Sequence, residues 1–435
     1  VHLHEVIIER RSIRKFTADP LPAAVVEDIL HVAARTAHPT YAQGHRVLYV
    51  PDRDTIEKMR EACIDTIERR VARWTPEDEK SWAQLGIPFP KHEKIGNTQK
   101  DHYRYFSRRF DTFFGEAPAV LVLATRPLLW TAAPHVWPTL QLVGAVMQTL
   151  QLAAAEKGVG SCCMTGPLHS RQALGRILDL APPWEIVALL PLGYPQRVPS
   201  PRPRKPLSEV IRWVGPKAHA GKQEGKQLKG KGPAGGPADF RETVMARCNV
   251  YAFGAGPVLD RDLEDIVDTA RFSPNSLNQQ KWRFVVVRDK GVLHSLGDAM
   301  IEKGSGQGGP ASLDALDLSI PGGILDAPDV TGGYQGVTAA GDFIVSRARL
   351  VANAPAVVAL CNETFPSGES DTGWSDIESI GCAAETLMLE ATARGYASCW
   401  MTSPLVAWEE VDRLLGVVDP WRTVSLVALG RSAGS

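Results

Sequence analysis

Gly160-Ser161-Cys162-Cys163-Met164-Thr165-Gly166-Pro167-Leu168 and Ala397-Ser398-Cys399-Trp400-Met401-Thr402-Ser403-Pro404-Leu405 are the same phrase written twice in one chain. The two copies are 237 positions apart, since Cys162 matches Cys399. Working outward from them, the same offset recurs. APAVLVLA at 117–124 matches APAVVALC at 354–361, and PWEIVALLPLG at 183–193 matches PWRTVSLVALG at 420–430. VVEDIL at 25–30 matches DLEDIV at 262–267, Phe16 matches Phe253 and Trp137 matches Trp374. A constant offset over most of each half means a duplicated domain, because the period is far above that of a solenoid repeat.

The boundary lies in GPKAHAGKQEGKQLKGKGPAGGPA, residues 215–238, which is rich in Gly, Lys and Ala and nearly free of large apolar side chains. That is linker composition. The expected organisation is a domain at 1–214, a linker at 215–238 and a second domain at 239–435.

Each half reads as α+β. PAAVVEDILHVAART and PVLDRDLEDIVDTARF have helical periodicity, and RVLYV at 46–50 and RFVVV at 283–287 are strand-like. The runs APAVLVLAT and APAVVALCN predict buried strands, with a last strand at IVALLPLG and at VSLVALG. LQLVGAVMQTLQLAAAEKG and SIGCAAETLMLEATARG predict long apolar helices capped by Gly158 and Gly395. Similarity between the halves is weakest at 51–116 and 289–353, where substrate-facing inserts or surface loops would diverge.

Bulk properties exclude several classes. The 435 residues are 44% hydrophobic with a formal net charge of −1, so neither disorder nor a global basic field for nucleic acid is expected. The seven cysteines have no paired spacing, which suggests reduced thiols and a cytoplasmic protein. The stretch VHLHEVIIERRS has no signal-like apolar region, and no run approaches a membrane span. The histidines make no metal-ligand set. The segment Gly304-Ser305-Gly306-Gln307-Gly308-Gly309 has GxGxxG spacing but follows a helix-like stretch and precedes Pro310, the wrong context for a dinucleotide fingerprint.

The chemistry-bearing cluster is Glu9-Arg10-Arg11-Ser12-Ile13-Arg14-Lys15-Phe16. Three guanidinium groups and a hydroxyl within five residues suit a phosphate, although a solvated charged turn reads the same way. Order along the chain decides. RRSIRKF, then SPNSLNQQKWRFVVV, the long apolar helices, the paired GSCCMTGP and ASCWMTSP phrases, and LGYP with RPRKPLSEV together resemble the flavin-dependent nitroreductase family, twice over nearly the whole chain.

That resemblance implies α+β domains, each a mostly antiparallel sheet flanked by helices. The family's homodimer with interfacial FMN would here be an intrachain pseudo-dimer. The implied phosphate anchor is Arg10, Arg11, Ser12 and Arg14, joined by Arg202 and Arg204. Met164, Thr165, Gly166 and Pro167 would face the flavin ring, with a backbone N–H near Thr165 and Gly166 opposite its N5. The second half would complete the site with Pro274, Asn275, Ser276 and Asn278.

The second copy of the site reads as degraded. Its anchor becomes Arg247, Cys248, Asn249 and Tyr251, and the partner loop becomes His38-Pro39-Thr40-Tyr41. Positions matching Arg202 and Arg204 would fall beyond Ser435. One FMN per chain is therefore expected, since a buried phosphate without countercharge is costly. No catalytic side chain is named; the flavin carries the chemistry.

The expected activity is NAD(P)H-driven, ping-pong two-electron reduction of a small aromatic, nitro, quinone or enone substrate. The alternatives are a flavin dehydrogenase or oxidase acting on a biosynthetic intermediate, and a flavin-binding protein with little turnover. The basic, aromatic segment 91–116 reads equally as a lid or a solvated helix face. In solution a monomer holding the pseudo-dimer is expected, with higher oligomers left open.

Overall fold

The apolar runs of the two halves become the central strands of two sheets, and the offset that relates their sequences also relates their elements. The computed structural model describes residues 1–37, 45–85, 87, 95–125, 137–216, 236–237, 239–304, 340–363 and 371–432. The first half runs α1 (Leu3–Glu9), α2 (Ala23–Ala33), β1 (His45–Val50), α3 (Arg53–Ala72), α4 (Pro76–Gln84), α5 (Gln99–Phe110), β2 (Ala119–Thr125), α6 (Trp137–Glu156), β3 (Gly160–Ser161), α7 (Arg171–Ile177) and β4 (Glu185–Gly193). A short α8 (Leu207–Val210) and β5 (Ile211–Val214) follow. The second half runs α9 (Phe240–Ala246), β6 (Phe253–Gly254), α10 (Asp260–Ala270), β7 (Trp282–Val287), α11 (Lys290–Gly304), α12 (Ala340–Asn353), β8 (Ala356–Asn362), α13 (Asp371–Ala393), β9 (Ala397–Met401), α14 (Trp408–Leu415) and β10 (Arg422–Ser432).

The first sheet is antiparallel in the order β1-β2-β4-β3. The second repeats it as β7-β8-β10-β9 and extends it, with β6 pairing on β10. Both sheets are covered on both faces, which is why their strands read as unbroken apolar runs. Along β2, Leu121 and Leu123 face a core shared by the two halves, while Val120 and Val122 face an outer core under α3 and α7. Along β8, Val358 and Leu360 face the shared core, while Val357 and Ala359 pack outward with residues of α11, α12 and α14.

One element departs from the expected domain boundary. The sequence puts residues 211–214 in the first domain, yet β5 pairs in parallel with β7 of the second half, Ile211 opposite Phe284. The edge of β7 would otherwise present unpaired N–H and C=O groups, and β5 covers it. The chain leaving β4 thus crosses to the other half before the linker begins.

The halves meet through α6 and α13, which cross in contact at two pseudo-equivalent glycines. A Cβ on Gly144 would lie 1.8 Å from the Glu378 carbonyl oxygen, and one on Gly381 would lie 1.9 Å from that of Gln141. Gly144 and Gly381, like Gln141 and Glu378, are 237 apart, so the crossing has pseudo-two-fold symmetry. Polar side chains continue it. Gln148 Nε2 donates to Thr386 Oγ1 at 2.8 Å, and Thr149 Oγ1 meets Glu385 Oε1 at 3.2 Å. Both helices end as the sequence predicts: Gly158 has φ 70° and Gly395 φ 76°, with Val159 N donating to Ala154 O and Tyr396 N to Ala391 O. These are the left-handed cap and the six-to-one hydrogen bond of a Schellman ending.

A second tie is electrostatic. Arg241 of α9 donates from Nη1 to Asp28 Oδ1 at 2.8 Å and from Nε to Glu156 Oε1 at 2.9 Å, both in the first half. The Arg241 guanidinium, with Lys157 beside it, holds the Asp28 carboxyl down at about 2.

Replacing Gly144 or Gly381 by Ala is expected to destabilise the protein by roughly 1–3 kcal/mol, because backbone rather than a flexible side chain blocks the new methyl group. Gly175→Ala in α7, where a Cβ meets nothing within 4 Å, is expected to be neutral or to gain up to about 1 kcal/mol. Denaturant midpoints compare the three. Asp28 gives a pH signature as well. Its folded value lies below its ordinary 3.8, so its contribution is fully present above about pH 4 and is lost as pH falls through about 2. In Arg241→Met the loss of stability across that window is expected to be visibly shallower than in the wild type.

Candidate active site

Helix α1 delivers the arginine-rich segment to the junction of the halves. Arg10 N still donates to Val6 O at 3.0 Å, and the chain then runs extended. Ser12 bridges Ser161, Ile13 N donates to Ser161 O at 2.9 Å, and Thr17 N donates to Tyr194 O at 2.8 Å. The segment is therefore stitched along β3 and the end of β4.

Arg10 is buried, 6% exposed. Its Nη1 reaches Gln151 Oε1 at 3.5 Å, and its Nε has no hydrogen-bond partner among the described residues. Burial pushes its guanidinium below the ordinary value; the other ionisable groups acting on it are Cys382, Cys162, Arg11 and Cys163. A buried cation with a donor that meets no hydrogen-bond partner is costly unless an anion joins it.

Arg204 supplies a second, half-buried charge. Its Nη1 donates to Asn278 Oδ1 at 3.1 Å and its Nη2 to Phe272 O at 2.8 Å. Burial, then repulsion from Arg10, Arg271 and Arg11, pushes it down to about 10, so it remains a cation at neutral pH. This contact joins a residue predicted from the first half to one predicted from the second. The neighbouring backbone is tied in the same way. Lys205 N donates to Gln280 Oε1 at 2.8 Å, Asn278 Nδ2 to Pro203 O at 3.3 Å, and Arg271 Nη1 to Lys205 O at 3.1 Å.

The other predicted anchor residues divide. Ser12 hydrogen-bonds the Cys162 thiol. Arg11 turns back, donating from Nη1 to Ile8 O and Arg10 O, where it serves the C-terminus of α1 instead of joining Arg10. Arg14 is exposed, with its guanidinium carbon 6.0 Å from the centre of the Phe113 ring. Arg202 is exposed on the surface.

The loop from the second half is shaped by its own side chains. Asn275 Oδ1 accepts from Gln280 N at 2.9 Å. Ser276 N donates to Ser379 Oγ at 3.2 Å, and Ser375 Oγ donates to Ser276 Oγ at 3.2 Å. Pro274 enters the loop half-buried. Leu277, Asn278 and Gln280 have φ of 51°, 61° and 52°, in the left-handed region, which is strained for Leu. Leu277 is 51% exposed, an apolar side chain held outward on a strained backbone beside the arginines.

The segment expected to face a ring is built differently at each position. Met164 exchanges both backbone hydrogen bonds with Leu189 at 2.9 Å and is buried, as is Pro167. Thr165 and Gly166 remain half-exposed. A Cβ on Gly166 would lie 2.0 Å from Asp111 Oδ1, so the glycine lets the end of α5 approach. Gln151, Arg271, Gln280, Cys162 and Asp111 were not foreseen. Arg271 and Gln280 flank the SPNSLN loop, a signal that could have marked them; Gln151 and Asp111 carry none beyond their helices.

The second copy keeps the backbone and changes the chemistry. Asn249 bridges Ser398, and Val250 N donates to Ser398 O at 2.9 Å, the same stitches 237 residues on. Arg247 there donates to Arg35 O at 3.3 Å. Glu385 stands where the first copy has Gln148, and burial raises its pKa while Arg247 opposes that rise. Tyr251 replaces Arg14 and lies under the guanidinium of Arg347, 4.2 Å from the ring centre. The loop at 38–41 and the glycine run at 305–309 lie outside the described residues.

The sequence model of the nitroreductase family matches residues 7–194 and again 244–431. The chain belongs to the nitroreductase family. Its two matches are the two halves, each an α+β nitroreductase fold with a largely antiparallel sheet. Individual relatives correspond to one half at a time. A Bacillus subtilis (strain 168) protein provisionally named NAD(P)H nitroreductase YfhC is 24% identical over 207 residues, 48% of this chain and 91% of its own. The iodotyrosine deiodinase of Thermotoga neapolitana is 23% identical over 216 residues, 48% of this chain and 95% of its own. Among solved structures, a nitroreductase with bound FMN from Desulfitobacterium hafniense DCB-2 is 18% identical, covers 48% of this chain and 97% of its own, and has a TM-score of 0.36. Among the described residues, no helix of this nitroreductase is long and apolar enough to cross a membrane, and no cluster suits a metal ion.

Proposed function

We propose that this nitroreductase-family chain binds one FMN, in the copy of the site anchored by the first half and completed by the second. The observation that carries the reading is the pair of Arg10, buried, and Arg204, half-buried and tied across the halves through Asn278. An unpartnered Arg10 Nε and mutually repelling guanidinium groups suit a phosphate close to a dianion. Ser12 and Arg14 lie on the same extended strand and would extend the cradle toward the ring.

FMN, when bound, supplies two-electron redox chemistry. The chain's own part is to hold and screen it. Thr165 and Gly166 leave backbone accessible beside the buried Met164 and Pro167. Pro274, Asn275, Ser276 and Asn278 close the site from the other half, and Leu277 offers an apolar cover that excludes water. The electron donor is NAD(P)H, as the name of the Bacillus relative suggests. The acceptor is a small aromatic, nitro, quinone or enone compound, and the expected kinetic order is ping-pong.

The second copy also keeps donors without a hydrogen-bond partner among the described residues, Nε and Nη1 of Arg247, but offers a phosphate less net positive charge. Arg247 has a buried carboxylate, Glu385, among the groups acting on it where Arg10 has the neutral Gln148, and Tyr251 replaces Arg14.

The protein is expected to carry about one equivalent of FMN per chain, read from flavin absorbance after denaturation. Arg204→Ala is expected to weaken FMN binding by about 1.5–3 kcal/mol, the loss of one charge-assisted contact, and Arg247→Ala much less. Equal losses at the two arginines, or two equivalents of FMN, would place a working site in both copies. Anaerobic addition of NADH or NADPH to the loaded protein is expected to bleach the flavin band, and a nitroaromatic or quinone to restore it with parallel-line kinetics. Bleaching by neither donor would refute the reductase reading.

A further inference from the structure

Beside the ring-facing segment lies a cavity of 600 Å³ walled by the anchor strand, α3, the end of α5 and the turn that follows. Six cations line it: Arg14, Lys15, Arg53, Arg60, Arg108 and Arg109. Its carboxylates are Glu57 and Glu116. Glu57 is engaged by Arg60 and Arg53, and Arg108 reaches outward to Glu68 at 3.1 Å. Cations therefore outnumber carboxylates by four along this wall. Phe110 and Phe113 supply flat apolar faces on the same lining. The cavity adjoins the redox site through two contacts already described, Arg14 on the anchor strand and Asp111 against Gly166.

The duplication supplies an internal control. The offset of 237 holds at both ends of this insert, since α3 begins at Arg53 and α11 at Lys290, and β2 begins at Ala119 and β8 at Ala356. The positions that match the six cations are Tyr251, Ala252, Lys290, Gly297, Val345 and Ser346. Only Lys290 keeps a charge. A basic helix face kept merely for solubility would have no reason to follow the flavin anchor. In the first half the cations stand beside the anchor; in the second the wall is rearranged, with Tyr251 in place of Arg14 lying under Arg347 of α12.

We propose that this cavity is a subsite for an oxyanion, a phosphate or carboxylate, carried by a compound that reacts at the flavin site. It rests on the reading of the first-half copy as the working site. Concentrating like charge around a half-enclosed space is unfavourable until an anion enters; most of these cations are exposed, so the attraction is screened by salt. Planar guanidinium groups accept two oxygens of one anion at a time. The rings flanking the cations suit an anion borne on an aromatic or heterocyclic body. Two sources share this chemistry, the phosphates of the nicotinamide donor and an acidic group on the acceptor.

The test uses the FMN-loaded full chain, so that the phosphate cradle is already filled, with inorganic pyrophosphate as the probe. Calorimetry is expected to detect binding to the wild type that weakens as salt rises. In the double variant Arg53→Gln, Arg109→Gln, binding is expected to fall at least tenfold while FMN content and melting temperature stay within error. Arg204→Gln refilled with FMN is expected to bind the probe as the wild type does. Binding lost in Arg204→Gln but kept in the double variant would put the anion in the phosphate cradle and overturn the proposal, as would no binding to the wild type. A wild type that holds no FMN would instead refute the flavin reading, and pyrophosphate binding to Arg204→Gln would then test the subsite by itself. Steady-state kinetics separate the sources. A rise in KM for NADPH alone assigns the subsite to the donor, and a rise for 4-nitrobenzoate but not nitrobenzene assigns it to the acceptor. No change in either KM overturns it.

Discussion

The crossing of α6 and α13 at Gly144 and Gly381 is the constraint from which the rest of this structure follows. With no side chain at either position, each helix rests on a backbone carbonyl of the other, Gln141 under Gly381 and Glu378 under Gly144. That closeness brings the polar rows of both helices within hydrogen-bond range, as in Gln148 with Thr386 and Thr149 with Glu385. It also fuses the inner faces of the two sheets into one core running from Leu121 and Leu190 to Val358 and Leu429. A wider crossing would separate Arg10, which reaches Gln151 on α6, from the loop that Ser375 and Ser379 of α13 hold in place. The arginine cradle and its cover are fixed by the same interface that stabilises the molecule.

Within that symmetric frame, the asymmetry is made by few side chains. Glu385 accepts from Ala37 N at 3.2 Å, while the position matching Ala37 is Pro274, which has no N–H to give. A carboxylate at position 148 would lack that donor and would place a negative charge among the groups acting on Arg10. Gln148 avoids both problems, although its Oε1 is left without a hydrogen-bond partner among the described residues. Both arginines keep buried donors without a hydrogen-bond partner among the described residues, Nε of Arg10 and Nε and Nη1 of Arg247, so what separates the copies is the carboxylate of Glu385 acting on Arg247.

Much of this was legible in the sequence because a duplicated chain compares itself with itself. Elements assigned by the offset fall on it in space: α1 and α9, α2 and α10, β1 and β7, and β2 and β8 begin and end 237 residues apart. The helix ends at Gly158 and Gly395 were readable because a left-handed cap has a residue signature. Arg10, Arg204 and Asn278 were legible only through the family resemblance, since an arginine run read alone is as well explained by a solvated turn. What sequence could not supply was direction. Arg11 and Arg10 are adjacent and chemically identical, yet one folds back on its own helix and the other enters the interface. Arg202 and Arg204 share one segment, and only the second is half-covered and hydrogen-bonded by the loop of the second half. The transfer of β5 was equally invisible, because a four-residue strand carries no mark of which sheet it will join. Gln148 and Glu385 gave no signal either, since their meaning depends on which arginine each faces.

The path of the chain explains why fusion permits such divergence. In a symmetric homodimer every substitution is imposed on both sites at once, so a carboxylate that tightens one copy also poisons the other. Joining the copies removes that coupling. The segment after β4 carries Arg204 past the 272–280 loop and then adds β5 to the edge of β7. That route ties the surviving anchor to the second half by hydrogen bonds as well as by covalent continuity. With the copies joined, the segment matching residues 10–14 could change in the second half alone, as Cys248, Asn249 and Tyr251 show. The second half could also place Glu385 in the interface and rearrange the cations of its insert, as Arg347 over Tyr251 shows. What it had to keep was the glycine crossing, the strained loop and the edge that receives β5, and all three are present.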